Sequence, residues 1–181
     1  TVANLRMGNP IQKAQIISIV KECFPFVTIR HPNLECDDAI ATMTKIHCEQ
    51  GDDCTIISSD SDFYQLLNTF DNCAIYNPIR KKLIEKPDYD YVIWKALRGD
   101  PTDNIGGIPG CGDKTADKLV RSPELLSEYF KKDPIRQQIF ERNVNLIRLV
   151  DFSDKLSEME RHDGVKDFEQ LYDIFDDMSF Q

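Results

Sequence analysis

A short apolar run that stops abruptly on acid constrains this chain most. Cys54-Thr55-Ile56-Ile57-Ser58-Ser59 is followed directly by Asp60-Ser61-Asp62. The run is short, apolar and bounded by polar residues, so it predicts a buried parallel strand. Ligands of open α/β sheets bind at the carboxyl ends of strands. Asp60 and Asp62 would project there.

The surrounding pattern agrees with a sheet flanked by helices. Ile11 to Cys23 carries apolar residues at helical spacing, and Pro25 stops it. Phe26 to Ile29 predicts a strand, Glu35 to Glu49 a helix, and Gly51-Asp52-Asp53 a turn. A helix begins at Phe63, Cys73 to Tyr76 predicts a strand, and Lys82 to Lys86 an edge strand paired with it. Tyr89 to Arg98 predicts another helix. Alternating strands and helices imply a doubly wound α/β fold with a mostly parallel sheet. The texture changes at Asp100 to Gly112, which holds four glycines and two prolines. Only helical patterns follow: Thr115 to Arg121, Pro123 to Lys131, Pro134 to Val150 and Val165 to Met178. The expected division is an α/β core over residues 1–98 and an all-α domain over residues 99–181. The acidic amphipathic helix near the end is expected to pack through Phe168, Leu171, Ile174 and Phe175; docking to a replication partner is the alternative.

Three acidic clusters stand beside these elements: Glu35-Cys36-Asp37-Asp38, Asp60-Ser61-Asp62 and Asp100-Pro101-Thr102-Asp103. Each alone has an ordinary explanation in helix caps and turns. Brought together without a cation, several carboxylates would repel or protonate. Mg²⁺ or Mn²⁺ accepts such all-oxygen shells, and paired ions form the clamp used in phosphodiester hydrolysis. The net charge of −9 fits this reading. Setting the seven acids of the three clusters aside from the 31 present leaves 24 against 22 Lys and Arg. Six cysteines without a C-x-x-C pair argue against zinc and for reduced core thiols. Thr1 to Pro10 is polar and shows no secretory signal, and no apolar run is long enough for a membrane helix. The expected setting is therefore the cytoplasm.

Ile108-Pro109-Gly110-Cys111-Gly112 leads into Asp113-Lys114-Thr115-Ala116-Asp117-Lys118-Leu119-Val120, the thirteen-residue spacing of a helix-hairpin-helix within about residues 105–121. Gly110 and Gly112 let a backbone approach a phosphate, and the amides that follow open a helix N-terminus that favours anions. Lys114, Thr115 and Lys118 are the candidate nucleic-acid contacts on that helix. Such contacts position a duplex without reading its sequence. Lys13, Lys21, Lys45 and Lys95 read as solvated helix faces, and Arg98 as a substrate contact or a helix C-cap.

Leu34-Glu35-Cys36-Asp37-Asp38-Ala39-Ile40-Ala41, Ile56-Ile57-Ser58-Ser59-Asp60-Ser61-Asp62-Phe63 and Arg98-Gly99-Asp100-Pro101-Thr102-Asp103-Asn104-Ile105-Gly106-Gly107 resemble three successive signatures of the 5′-3′ exonuclease and flap endonuclease family. The resemblance runs from about Pro32 to Val150, and Tyr76-Asn77-Pro78 and Asn145-Leu146-Ile147 are most similar to phage members, including the T-even-type phage ribonuclease H. It implies a PIN-like nuclease core that binds two Mg²⁺ or Mn²⁺ ions. Glu35, Asp37 and Asp38 would serve the first ion, Asp60 would sit between the two, and Asp62, Asp100 and Asp103 would serve the second. It also implies K⁺ on backbone carbonyls around Gly107, Gly110 and Gly112. Family members carry a strand-end Asp, a second Asp and a basic arch ahead of these signatures, and no counterpart lies upstream of Glu35. The expected function is a monomeric, divalent-metal-dependent 5′ nuclease acting on DNA flaps, duplex ends or RNA–DNA during replication or repair. The alternative is a catalytically impaired DNA-binding fragment that keeps the hairpin grip.

Overall fold

The computed structural model describes residues 10–177. Both the leading residues, read above as free of a secretory signal, and Met178 fall outside that range. Two compact units are present, Thr1–Cys36 with Asp154–Gln181, and Asp37–Ser153. The boundary expected near Gly99 thus falls inside the second unit.

In the first unit, α1 (Pro10–Cys23) begins on proline, whose missing N–H costs nothing at a helix start. β1 (Val27–Arg30) pairs antiparallel with β7 (Glu160–Asp163), in register from Val27 opposite Asp163 to Arg30 opposite Glu160. This departs from two sequence expectations. The strand predicted at residues 26–29 is not part of a parallel sheet, and the region after Gly112 is not wholly helical. The Glu-Arg-His-Asp run of β7 is exposed at every position, so it has no apolar alternation to betray it. Backbone pairing with β1 makes it a strand. Phe24 stacks on Phe26 at 5.4 Å and meets Phe168 edge-on at 6.0 Å. Phe168 opens α8 (Phe168–Asp177), which packs on α1.

The second unit holds the sheet. β2 (Cys54–Ile57) runs parallel to β3 (Cys73–Asn77), and β4 (Lys82–Leu83) returns antiparallel to β3. Among the described residues the sheet is therefore small and mixed rather than doubly wound. Among the described residues β2 pairs with β3 alone and lies at an edge, so only Ile56 of its residues is buried and Ile57 is 71% exposed. The prediction of a buried strand was too strong for that reason. α2 (Cys36–Glu49) and α3 (Tyr64–Thr69) cover the sheet through Ala41, Cys48, Phe63, Leu66 and Leu67, packed on Ile56, Cys73 and Ile75. The core thiols are free, as expected; burial pushes Cys48 up to about 12 and Cys73 up to about 11.

α4 (Tyr91–Arg98) starts on Asp90, whose carboxylate accepts from Ile93 N as an N-cap. It leads into β5 (Gly99–Asp100), paired antiparallel with β6 (Ile105–Gly106). α5 (Asp113–Val120), α6 (Pro123–Lys131) and α7 (Pro134–Ile147) follow. Leu97, Ile108, Cys111, Ala116 and Leu119 form their shared core. Among the described residues no helix is long and apolar enough to cross a membrane.

The segment after α7 folds back on α2. Val150 N donates to Asp38 at 2.8 Å, Phe152 N donates to Thr42 Oγ1 at 3.0 Å, and Lys45 pairs with Asp151. The hydrogen bond from Lys45, with another from Ser153, pulls the Asp151 carboxyl down to about 2. A depressed carboxylate supports the fold above its unfolded value near ~3.9, and that support is lost as pH falls toward the folded value. Asp151→Asn should therefore flatten the acid limb of stability below about pH 4 and lower the melting temperature at pH 7 by about 1–2 °C, both read by thermal unfolding against pH.

Candidate metal centre

Asp62, Asp100 and Asp103 come together from two separate stretches of chain. Asp62 lies in the turn after β2, Asp100 is the last residue of β5, and Asp103 lies in the loop between β5 and β6. Each offers a carboxylate oxygen within 4.8 Å of the others. Asp100 is buried, Asp62 half-buried and Asp103 exposed, so the group opens to solvent on one side. Asp60 shares a polar cleft of about 290 Å³ with Asp100, Thr102 and Asp103. Its own carboxylate accepts from Asp62 N at 2.9 Å, which shapes the turn carrying both acids.

Two buried amides hold these loops. Gln65 donates to Asp62 O at 2.8 Å and to Ile147 O at 3.2 Å, while its own oxygen accepts from Leu149 N. Asn143, with 0% exposure, donates to Ala96 O and Gly106 O, both at 2.9 Å. Gly99 and Gly107 then press backbone on backbone. A Cβ on Gly107 would lie 2.0 Å from Arg98 O, and one on Gly99 would lie 2.3 Å from Gly107 N. Asp100 is thereby fixed between a helix end and a hairpin turn.

Lys95 corrects the sequence reading. It was expected on a solvated face, yet it is 3% exposed and its ammonium bonds both Asp62 and Asp100. Burial would lower its pKa, but the two carboxylates outweigh burial and hold it above its usual value. For Asp100, burial would raise the carboxyl; hydrogen bonds from Lys95 and Thr102 overcome this and keep it well below the ordinary range. Asp103 goes the other way, raised by burial and by the charges of Asp100 and Asp62. The missed signal was positional. Lys95 falls at i+4 from Tyr91 and i+3 from Val92, both buried, and so lies on the apolar face of α4.

The remaining acids stand elsewhere. Asp37 and Asp38 occupy the first turn of α2, where Asp38 accepts from Val150 N. Glu35 is exposed just before that helix and belongs to the first unit. Among the described residues, only Asp62, Asp100 and Asp103 gather tightly enough to chelate. Their donors are all carboxylate oxygens, the hard set that suits Mg²⁺, Mn²⁺ or Ca²⁺ rather than a thiol-seeking metal.

Ile108 to Gly112 forms a turn closed by Cys111 N donating to Ile108 O at 2.9 Å. Pro109 and Gly110, at φ +78°, take the second and third positions, as a type II turn requires. Gly112 caps α5, and its carbonyl accepts from Thr115 N and Ala116 N. Lys114 and Lys118 are exposed and share a cleft of about 320 Å³ with Thr115 and Lys132. Arg98 pairs with Asp113 and lies over the Trp94 ring at 5.2 Å, joining α4 to the start of α5.

Three carboxylates against one ammonium leave repulsion within the group. Asp103→Asn should raise the metal-free melting temperature at pH 7 by about 2 °C and shrink the stabilisation by Mn²⁺. An unchanged Mn²⁺ shift would rule Asp103 out as a ligand.

Comparison with known proteins bears on the family rather than on the site. Residues 9–95 match the family described as 5′-3′ exonuclease, N-terminal resolvase-like domain. The chain is 32% identical over 160 residues to a thermostable DNA polymerase I of Thermus thermophilus, covering 83% of this chain and 19% of that protein. It is 33% identical over 135 residues to DNA polymerase I of Rhizobium leguminosarum, covering 70% of this chain and 12% of that protein. With DNA polymerase I of Deinococcus radiodurans it shares 30% identity over 157 residues, 78% of this chain and 16% of that protein. The chain thus spans less than a fifth of the length of these curated relatives. Residues 9–95 of this chain thus carry the sequence pattern of a 5′-3′ exonuclease N-terminal, resolvase-like domain.

Proposed function

We propose that this chain carries the metal-binding and duplex-gripping parts of a divalent-metal-dependent 5′ nuclease that hydrolyses phosphodiester bonds at DNA flaps, duplex ends or RNA–DNA. The observation that carries the reading is the meeting of Asp62, Asp100 and Asp103, distant in sequence, within 4.8 Å. Like charges converge at a cost unless a cation sits among them. In this reading Mg²⁺ or Mn²⁺ is held by these three acids, with Asp60 standing between that ion and another served by Asp37 and Asp38. Bound there, the ions supply an activated water and charge neutralisation at the attacking and leaving oxygens. The chain's own contribution is to orient the carboxylates, through Gln65 and Asn143, and to exclude bulk from beneath Asp100.

The duplex grip is assigned to a helix-hairpin-helix formed by α4, the turn at Pro109–Gly110 and α5. Gly110 and Gly112 have open space where a side chain would stand, which supports close approach of a phosphate. The α5 N-terminus favours an anion, and Lys114, Thr115 and Lys118 flank it. K⁺ on carbonyls around Gly107, Gly110 and Gly112 would complete the contact. The helical part from Gly99 onward is proposed to act as a functional domain even though it shares a compact unit with the sheet.

A labelled 5′-flap duplex tests both halves. With Mg²⁺, Asp62→Ala and Asp100→Asn should each lower cleavage by about 100-fold or more, and surviving cleavage would refute the site. A parent chain that binds the flap but leaves it intact favours the impaired-fragment reading. Lys114→Ala with Lys118→Ala should weaken duplex binding and reduce the slope of log affinity against log salt by about 1–2. Equal slopes in gel shift would remove the hairpin from the interface.

A further inference from the structure

Lys95 is held by the same two carboxylates, Asp62 and Asp100, that the metal reading requires, and Asp103 stands within ligand distance of both. Its side chain is 4% exposed, so its charge is screened poorly by solvent. A dication seated on these oxygens would face that ammonium at close range, and like charges in a poorly screened pocket repel strongly. Both cannot keep all their contacts. The methylenes of Lys95 lie on the buried face of α4, and four rotatable bonds let the ammonium shift without moving the helix.

We propose that Lys95 is a positioning residue acting as an internal competitor for the divalent ion: it holds Asp62 and Asp100 together when no dication is present and gives up at least one of them when a dication binds. The inference rests on the reading that the three acids take a divalent cation. It makes the site preformed yet limited in affinity, because each ion displaces a cation already in place. The loop after β2 and the β5 strand then keep their positions whether or not metal is bound.

The test is Mn²⁺ titration of the 181-residue chain, followed by paramagnetic resonance of free Mn²⁺, with thermal unfolding in parallel. Lys95→Gln keeps hydrogen-bonding capacity but removes the charge. It should bind Mn²⁺ about tenfold more tightly than the parent. Its metal-free melting temperature should fall, and saturating Mn²⁺ should restore most of the loss. Lys95→Met should behave alike, and Lys95→Gln decides alone if the Met variant does not fold. Adding Asp103→Asn to Lys95→Gln should cancel the gain, which assigns the tighter ion to this site. Equal or weaker Mn²⁺ affinity in Lys95→Gln overturns the proposal, even if metal-free stability falls, because a purely structural lysine would give that result. Failure of both parent and Lys95→Gln to bind Mn²⁺ sinks the cation site itself, along with the competitor role.

Discussion

The ion pairs of Lys95 with Asp62 and Asp100 tie together every element that carries the acidic site. One ammonium links the last turns of α4, the turn after β2 and the end of β5. Burying such a pair is a weak source of stability in itself, because desolvation offsets the attraction. Removing one partner is a different matter. It leaves an uncompensated charge and costs about 3–5 kcal/mol. The interaction therefore acts as a specification of geometry more than as a contribution to net stability.

Around that pair the backbone is held by polar side chains that have left solvent. Gln65 spends its donors and its acceptor on Asp62, Ile147 and Leu149, and so joins the acid-bearing turn to the end of α7. Asn143 joins the middle of α7 to α4 and to β6. A buried amide that lost these partners would cost about 1–3 kcal/mol, so each fixes a single arrangement of the helices it bridges. Gly99 and Gly107 remove the remaining freedom, since their contact leaves no space for a methyl group. Rigid loops of this kind suit a site whose ligands must present oxygens at fixed separations.

The acidic balance of the chain acquires a local meaning in this setting. The net charge of −9 would oppose a polyanion if it were spread evenly. Three of the acids are instead gathered at one point, and Lys114, Lys118 and Lys132 line a cleft beside α5. A cation at the first place and a phosphate at the second would each meet the opposite charge, so the acidic total does not decide what each place can bind.

Much of this was legible in the residues themselves. Apolar spacing placed α2, α4, α5, α6 and α7 within a few positions, because an amphipathic helix needs only its own period to be recognised. Pro109 and Gly110 announced the turn ahead of α5, since few residues other than glycine tolerate the positive φ at Gly110. The acids at Asp62, Asp100 and Asp103 were identifiable from their places at strand and helix ends. β7 was not, as its four exposed residues become a strand only opposite β1. The solitary edge position of β2 was equally hidden, because an apolar run does not say how many neighbours it has. Nor could sequence separate Asp62, Asp100 and Asp103 from Asp37 and Asp38, which have the same chemistry and the same kind of flank. Sequence alone determined which groups were available, through local periodicity, turn chemistry and charge. Tertiary structure decided which of them meet and turned Lys95 from a surface charge into the counter-ion of the site, because burial and convergence depend on contacts between residues far apart in the chain.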